Sequence, residues 1–515
     1  MLDIKKLYRA SILILCITIF TTNCIYLQLT EVNVQLLGAA RQVSGSSYYI
    51  DTNINDVLID CGIFYPEDQS IDYDLDKSNT DEKNTKLDID VATIDAIILT
   101  HAHLDHLGKV PLAYKKGFRG KIYSTNQTFK IAEIMFENMI LKSSNLGKEK
   151  FIKSANSDKH HYHPNCKWKN KIKEPRTVTA NRKALPYDGI CKICIGLETR
   201  DIMDMFVVLG YNKPKELFEG FTVELFDARH IPGSSSILIT MDVNGSEHIV
   251  YFSGDVGSGI NGLLTGYPNK PREVDYIFME STYGNHSRKK EDKSFDAFYN
   301  QVQEDLYNKQ RIWIPAFTLD RTQRVLNQLR YGIQIGEIDN LPAVFALSTT
   351  AKKINTLYDQ YFDFRPSTLN ESYSMSPKYF EYLDVKPSIT ITPSYIDDLD
   401  FFHPFVKSVI TDKRASIYLV GYQDPRSIGG SLKNDDRVKL GARFIKVNAK
   451  ISKFSSFSGH LDGQGVIDYL SDMKINESIF LTHGEYQGML ELKERIEALD
   501  KNCIIPDYKW KLHIK

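Results

Sequence analysis

One short segment, residues 97–107, constrains this chain more than any other. It reads IILTHAHLDHL, in which an apolar run is followed at once by His101, His103, Asp105 and His106. An apolar run that ends in polar side chains predicts a buried strand that delivers a loop to the edge of a sheet. Imidazole and carboxylate groups suit zinc, and on a tight loop they can diverge toward two ions. A solvated histidine-rich turn is the alternative, but packing alone does not gather such side chains here.

Polar side chains recur at the ends of other strand-like segments further along the chain. Asp60 ends the apolar segment of VLIDCG, and His230 follows FTVELFDAR before a Gly/Ser turn. Asp255 ends HIVYFSGD, and His483 ends SIFLTH. Placement at the end of a strand-like segment thus recurs at all four positions.

The HxHxDH segment resembles the metallo-β-lactamase superfamily, in which this loop feeds a two-metal hydrolytic site. Four later segments, FMESTYG, IPAFTLDRTQRVL, SFSGHLDGQG and LTHGE, resemble more narrowly the β-CASP nucleases. The resemblance covers most of residues 32–500. It implies an α/β fold: an αββα metallo-β-lactamase sandwich with an inserted α/β β-CASP domain. The expected domains are 31–284 for the first part of the sandwich, 285–457 for the β-CASP domain and 458–515 for the C-terminal part.

The resemblance also implies the roles of the candidate site residues. Asp60 would hold the ligand loop by hydrogen bonds, as metal sites generally require of outer partners. Two groups would each bind one zinc ion, with one carboxylate bridging them. The groups are His101, His103 and His230 for one ion and Asp105, His106 and His483 for the other, with Asp255 as the bridge.

The expected catalytic residues are Asp105, His460 and Glu280. By resemblance, His460 would protonate the leaving oxygen and Glu280 would orient it, since a carboxylate fixes the tautomer of an imidazole and raises its basicity. Two zinc ions about 4 Å apart would activate a shared water and clamp a phosphodiester. His483 is typical of RNA-acting members of the family. Asp320 stands where the family usually has glycine, in the domain that forms one wall of the substrate cleft.

Composition adds few constraints. The chain has 515 residues, 42% hydrophobic and 25% charged, which is ordinary for a soluble protein of two or three domains. A net charge of −1 gives no general attraction to nucleic acid, so a polyanion site must be a local patch. Residues 142–200 are lysine-rich and include Tyr162 and Trp168. Basic residues interleaved with aromatics suit single-stranded RNA, although a solvated charge run is the alternative.

The same insertion, residues 142–200, contains a metal-like spacing. His163 and Cys166 form one knuckle, and Cys191 and Cys194 form a second. This pattern predicts a third, structural zinc ion that would stabilise an insertion too polar to fold on a core alone. Disulfides, which an oxidising compartment would favour, and unpaired thiols remain the alternatives.

Residues 1–24 have the outline of a signal peptide or a lipoprotein-type leader. Lys5, Lys6 and Arg9 precede a largely apolar, uncharged stretch that is too short for a comfortable membrane span. Cys24 then stands where lipidation would anchor the protein to a membrane of the cell envelope. The alternative is a wrongly assigned start codon, with a cytoplasmic protein that begins near Leu29.

The sequence therefore favours a zinc-dependent phosphodiesterase that hydrolyses single-stranded RNA. Three other functions remain open: a DNA nuclease of the same fold, a non-nuclease metallohydrolase, and a catalytically inactive subunit that binds nucleic acid. A dinucleotide site is not expected. Gly257, Gly259 and Gly262 match GxGxxG, but no amphipathic helix follows to bind a pyrophosphate.

Overall fold

The structure is a computed structural model of the chain. It describes residues 28–65, 82–144, 192–259, 263–287, 294–339, 343–362, 371–372, 387–393, 403–421, 428–434, 436–440 and 443–515. The leader with Cys24, and His163, Cys166 and Cys191 of the predicted structural zinc site, lie outside the described residues. Cys194 lies in a helix whose side chains are described only from Glu198 onward.

The first sheet has seven strands in the order β22-β1-β2-β3-β4-β5-β6. Strands β1 to β3 pair in antiparallel fashion and β3 to β6 in parallel fashion. Alternation of buried and half-buried residues in β1 and β2 gives each of these strands one core face. The strands are β1 (Val32–Leu36), β2 (Tyr48–Thr52), β3 (Asp56–Ile59), β4 (Ala96–Ile98), β5 (Lys121–Ser124), β6 (Phe206–Val208) and β22 (Lys511–Ile514).

The second sheet also has seven strands, in the order β21-β20-β11-β10-β9-β8-β7. Strands β10, β11, β20 and β21 are parallel neighbours, and β7 to β10 are antiparallel. The strands are β7 (Lys215–Phe218), β8 (Phe221–Asp227), β9 (Ser235–Val243), β10 (Ser246–Phe252), β11 (Glu273–Glu280), β20 (Lys474–Thr482) and β21 (Cys503–Ile504).

The two sheets pack face to face, with helices on both outer faces. Val34 and Ile98 of the first sheet share one apolar cluster with Ile237 and Phe278 of the second. Helices α2 and α3 cover the first sheet, and α10 and α11 cover the second. The αββα fold class is thereby confirmed. The helices of the sandwich are α1 (Leu104–Leu107), α2 (Val110–Lys115), α3 (Asn126–Ser144), α4 (Lys192–Met203), α10 (Gly463–Ser471) and α11 (Tyr486–Glu497).

A third sheet lies in the chain between β11 and β20 and is called the inserted sheet below. Its six strands are all parallel, in the order β14-β13-β15-β12-β16-β19. The boundaries 285–457 stay a prediction. The strands are β12 (Arg311–Ala316), β13 (Val344–Ala346), β14 (Glu371–Ser372), β15 (Ser388–Pro393), β16 (Ala415–Leu419) and β19 (Lys450–Lys453).

Helices lie on both faces of the inserted sheet, and a small ribbon precedes its last strand. Apolar residues of α5 and α6 pack on one face, and those of α8 and α9 pack on the other. Helix α7 instead joins the core of the sandwich, because Ile354, Leu357 and Tyr358 cluster with Ile131 and Phe136 of α3. The elements are α5 (Asp296–Tyr307), α6 (Arg321–Gln334), α7 (Thr349–Tyr361), α8 (His403–Ile410), α9 (Ile428–Asn434), β17 (Arg437–Leu440) and β18 (Arg443–Lys446).

Two expectations about individual segments can be compared with these elements. In the described part of the chain between β10 and β11 there is no helix, as expected for a GxGxxG match that does not bind a dinucleotide. Within the described ranges, no helix combines the length and the apolar character that a membrane span needs.

Candidate metal centre

The predicted site residues stand at the ends of strands from both sheets of the sandwich. Strand β4 ends at Ile98, and the loop that follows carries His101 and His103 before Asp105 and His106 in the short helix α1. His483 directly follows β20. His230 and Asp255 each lie three residues beyond the ends of β8 and β10. The sandwich therefore delivers all of them to one edge.

Three histidines and one carboxylate form the first ligand-type group, His101, His103, His230 and Asp255. His103 Nδ1 lies 3.0 Å from His101 Nε2 and 3.1 Å from His230 Nε2. Asp255 Oδ2 lies 3.4 Å from His101 Nε2 and 3.5 Å from His230 Nε2. Both His101 and His230 are buried.

Asp105, His106 and His483 form the second group. His483 Nε2 lies 3.3 Å from His106 Nε2 and 3.4 Å from Asp105 Oδ2. Asp255 reaches this group through its other oxygen, because Oδ1 lies 3.3 Å from His106 Nε2. One carboxylate therefore faces both groups, as expected of a bridging ligand.

The distances between the donor atoms are those expected around a bound metal ion. Four ligands at about 2.0–2.1 Å from a tetrahedral zinc ion lie roughly 3.3 Å apart, and the distances above cluster around that value. Asp255 Oδ1 is fully buried and accepts no hydrogen bond from the described residues. A buried carboxylate oxygen without a partner is costly, and a metal ion would satisfy it. The site thus has the chemistry of a metal centre.

Electrostatics favour the protonation states that the ligands of the first group need. Burial lowers the pKa of His103, and it lowers the pKa of His101 and His230 well below the usual range. These rings are therefore neutral near pH 7 and offer lone pairs. Burial opposes the charge of Asp255, but the neighbouring His483, His106 and His101 outweigh it, so that the pKa of this carboxyl lies well below its usual range.

Asp60 stabilises the ligand loop from behind. Its side chain is fully buried and its backbone has φ of +59°. Oδ2 lies 2.6 Å from His106 Nδ1, which leaves His106 Nε2 to face the ligand group. Oδ1 accepts a hydrogen bond of 2.8 Å from the backbone N–H of Thr100. Asp60 thus occupies the place predicted for it, next to a ligand and outside both groups.

His460 lies beside the ligands and is paired with Glu280. Its Nδ1 is 3.0 Å from Glu280 Oε2, and its ring lies 4.5 Å from the ring of His230. Glu280 is itself fixed by hydrogen bonds of 2.6 Å from the N–H of Val256 and from the hydroxyl of Thr282. Nδ1 of His460 therefore faces the carboxylate, which leaves Nε2 as the nitrogen that can exchange a proton with substrate.

Comparison with known proteins supports the family that the sequence resembles. Residues 40–131 match the metallo-β-lactamase superfamily, and residues 445–506 match a family described as a Zn-dependent metallo-hydrolase RNA specificity domain. The chain is 22% identical over 478 residues to a ribonuclease of Thermus thermophilus, which covers 88% of this chain and 94% of that protein. It is 24% identical over 483 residues to an RNase of Saccharolobus solfataricus, which covers 90% of this chain and 81% of that one.

Another relative and one solved structure extend the comparison. The chain is 23% identical over 499 residues to the transcription termination factor FttA of Methanothermobacter thermautotrophicus, with 89% of this chain and 68% of that protein covered. These matches support a place for the chain in the metallo-β-lactamase superfamily and, within it, among the β-CASP nucleases. A crystal structure of an Enterococcus faecalis protein of unknown function shares the fold, with a TM-score of 0.50, 12% identity, and 94% of this chain and 100% of that chain covered.

Two residues that contact the candidate site could not be recognised as such in the sequence. Thr282 lies two positions after Glu280, and its hydroxyl contacts both that carboxylate and His483 Nδ1, at 3.0 Å from the latter. Arg324 is wholly buried and donates a hydrogen bond of 2.6 Å to the backbone carbonyl of His230. The spacing of Asp320 and Arg324, four apart at the start of a helix, is a signal that could have revealed the second.

The structure thus brings together all the predicted metal ligands. It also places Asp60, Glu280 and His460 beside them. Their chemical roles stay predictions. The proposed structural zinc site and the lipidation site fall outside the described residues, apart from the backbone of Cys194 in α4. Within the described part of the chain, Cys61 and Cys503 are buried free thiols.

Proposed function

We propose that this β-CASP protein is a zinc-dependent phosphodiesterase that hydrolyses RNA. The observation that carries the proposal is the His460–Glu280 pair, placed beside the ligand groups but not needed to complete either of them. A histidine held there by a buried carboxylate suits proton transfer to a leaving oxygen. A site with metal ligands alone would serve many hydrolytic reactions equally well.

The two ligand groups would hold two zinc ions, with Asp255 reaching both. Bound zinc at such a site lowers the pKa of water and stabilises the negative charge that develops on a phosphodiester. Asp60 keeps His106 in the tautomer that presents Nε2, and the carbonyl of Gly459, 2.9 Å from His230 Nδ1, does the same for His230. The ligand rings are therefore oriented before any metal arrives.

His460 would act as the general acid. As the bond from phosphorus to the leaving oxygen breaks, that oxygen takes the electron pair and the proton from His460 Nε2. Glu280 stabilises the charged imidazole before transfer and holds Nδ1–H in place, because its oxygens lie 3.0 and 3.2 Å from Nδ1. Hydrogen bonds from Val256 and Thr282 keep that carboxylate fixed.

Three observations support RNA as the proposed substrate. His483 occupies the position that is typical of RNA-acting members of this family, and residues 445–506 match a family described by its RNA specificity. Relatives that align along most of the chain are named ribonuclease and RNase. DNA would have to be recognised by the same cleft, so the two substrates must be compared directly.

The deciding experiment is incubation of the purified protein with 5′-labelled single strands of RNA and DNA of matched sequence, with and without chelator. RNA should be cleaved, chelator should abolish cleavage, and added zinc should restore it. Asp255→Ala, purified in parallel, controls for contaminating nucleases and should be inactive. Preferred cleavage of DNA would replace the proposed substrate, and no cleavage by fully metal-loaded protein would favour a binding subunit.

The proposal includes a third zinc ion and an exported location. A structural zinc ion would be held by His163, Cys166, Cys191 and Cys194, and elemental analysis of His163→Ala/Cys166→Ala should show about one ion fewer while RNA cleavage persists. Lipidation of Cys24 would place the protein with the cell envelope. Cys24→Ser should then release the protein from the membrane fraction or block processing of the leader.

A further inference from the structure

Arg324 is a buried cation that the proposed chemistry does not use. It lies in the first turn of α6 and is 0% exposed, among the largest side chains of the described residues to be wholly buried. Its guanidinium forms an ion pair with Asp320, the residue just before the helix. The other oxygen of Asp320 accepts a hydrogen bond of 3.1 Å from the hydroxyl of Tyr358 in α7. Arg324 is therefore fixed from within the segment that carries the inserted sheet.

The remaining nitrogens of Arg324 contact two loops of the metal centre. Nη2 donates to the carbonyl of His230 at 2.6 Å, and Nη1 lies 3.4 Å from the carbonyl of Ser458. His230 is a predicted ligand, and Ser458 lies two residues before His460. Both loops are thus held by one planar guanidinium, whose fork of donors a lysine cannot reproduce.

The contact between these loops is tight. A Cβ atom on Gly459 would lie 3.0 Å from His230 Cε1 and 3.4 Å from Arg324 Nη2. The Gly459 carbonyl accepts the hydrogen bond from His230 Nδ1, so a shift of either loop would also turn the His230 ring. A displacement of the guanidinium would therefore move both the candidate ligand His230 and the proposed general acid His460.

Stability alone is a poor reason for this arrangement. Buried ion pairs are often no more stabilising than apolar residues of similar size, because both charges must lose their water. Asp320 also has φ of +70°, a backbone conformation that residues other than glycine adopt at an energetic cost. The family usually has glycine at this position, so this chain carries both costs.

We propose that Arg324, held by Asp320, is a positioning residue that ties the inserted sheet to the metal centre. It sets the His230 loop and the His460 loop relative to each other, so that the first ligand group and the general acid keep their geometry. The proposal rests on the proposed function for its catalytic part, but its effect on metal affinity does not depend on the substrate.

The test replaces the ion pair by neutral groups of similar size, Asp320→Asn/Arg324→Met, so that no unpaired charge is left buried. A matched control exists in the same sheet. Arg311 is 5% exposed and forms an ion pair of 3.3 Å with Asp412. It is the first residue of β12, whereas α6 follows the other end of that strand. Arg311→Met/Asp412→Asn therefore removes a largely buried ion pair from the same domain, at a distance from the metal centre.

The readouts are thermal stability, zinc affinity by chelator competition, and kcat and KM for RNA. The Asp320/Arg324 variant should melt like the control variant but bind zinc about 10- to 100-fold more weakly, as for lost outer partners of metal ligands. With zinc saturating, its kcat should fall while KM changes little. Wild-type zinc affinity and kcat in this variant would overturn the proposal and leave Arg324 with a structural role only.

Arg324→Lys provides a second test that keeps the charge next to Asp320. One ammonium cannot hold two carbonyls in a fork, so this variant should also lose zinc affinity and kcat, and it decides the matter if the double variant does not fold. Full activity and zinc affinity of Arg324→Lys would refute the proposal that the guanidinium must hold both carbonyls. If the wild-type protein cleaves no RNA, the proposed function fails, while the zinc-affinity readout still tests Arg324.

Discussion

At the scale of single residues, the candidate metal ligands and the proposed general acid lie in different surroundings. His101 and His230 are buried and His103 is half-buried, and burial lowers the pKa of all three, whereas the His460 side chain is 16% exposed and faces Glu280. That difference in surroundings fits the proposed roles, coordination for the first set and acid–base chemistry for His460. It also makes the roles separable by mutation.

His460→Ala should reduce turnover without removing metal. General acid catalysis typically contributes about 10²- to 10⁴-fold, and a loss in this range is expected for RNA. A nitrophenyl phosphodiester, whose leaving group needs no proton, should lose much less. Zinc content and RNA binding should stay near wild type. Equal losses on RNA and on the activated ester would contradict the acid role and make His460 a scaffold residue between the domains.

Cys61 lies directly behind the ligand loop and should be chemically inert. Burial raises the pKa of its thiol to about 12, and its N–H donates to the carbonyl of His106 at 2.6 Å. Because the unfolded chain would release this proton first, the contribution of the thiol to folding stability should be lost as the pH rises above about 8.5. Peptide mapping after iodoacetamide treatment at pH 8 should find Cys61 unmodified in folded protein and modified in denaturant. Rapid modification of the folded protein would show that the loop opens.

At the scale of elements, strand ends create the site and close backbone packing holds it. The segment after β3 runs against α1, where Gly62 accepts no side chain: a Cβ atom there would lie 1.7 Å from the carbonyl oxygen of Asp105. The N–H of Gly62 donates to the carbonyl of Ser46 at 3.0 Å, so this segment has little freedom to move. The helix that carries two ligands is thus positioned by a glycine.

Gly62→Ala should therefore displace α1 and weaken metal binding. Overpacking typically costs about 1–3 kcal/mol, which should lower the melting temperature, and chelator competition should show reduced zinc affinity. Gly210→Ala is the matched control, because a Cβ atom there would meet only the Lys213 side chain, at 3.4 Å. Normal zinc affinity in Gly62→Ala would mean that α1 and its ligands do not depend on this packing.

The sequence predicts local features of the site better than contacts between distant segments. His101, Asp255 and His483 each follow an apolar run, so placement at a strand end could be predicted from hydrophobic pattern alone. Which ends meet depends on sheet order, and β11 and β20 are neighbours although almost two hundred residues separate them. The Arg324 contacts to His230 and Ser458 span 94 and 134 residues of the chain, and no local pattern encodes them. The family resemblance, not periodicity, predicted which strand ends meet at the metal centre.

At the scale of the whole molecule, the metal centre joins segments from far apart in the chain. Its ligands come from the first sheet, the second sheet and the C-terminal part, between His101 and His483. The segment with the inserted sheet rests on the sandwich through α7 and α3, where apolar packing is accompanied by an ion pair of 2.6 Å between Lys353 and Glu137. Arg324 adds a contact at the site itself. Binding of metal should therefore stabilise the fold as a whole.

Removal of metal should lower the melting temperature of the entire protein. A ligand that binds only the folded state stabilises it by about 4 kcal/mol at a concentration one thousand times its Kd, and the buried ligand rings and carboxylates lose their shared partner when it leaves. Differential scanning calorimetry of the zinc-loaded and chelator-treated protein, with metal content measured on the same samples, should show this shift, and added zinc should reverse it. Asp255→Ala should show a smaller change in melting temperature with chelator than the wild-type protein, because its catalytic zinc is already lost. An unchanged melting temperature in metal-free wild-type protein would show that the ligand segments are held together by the sheets alone.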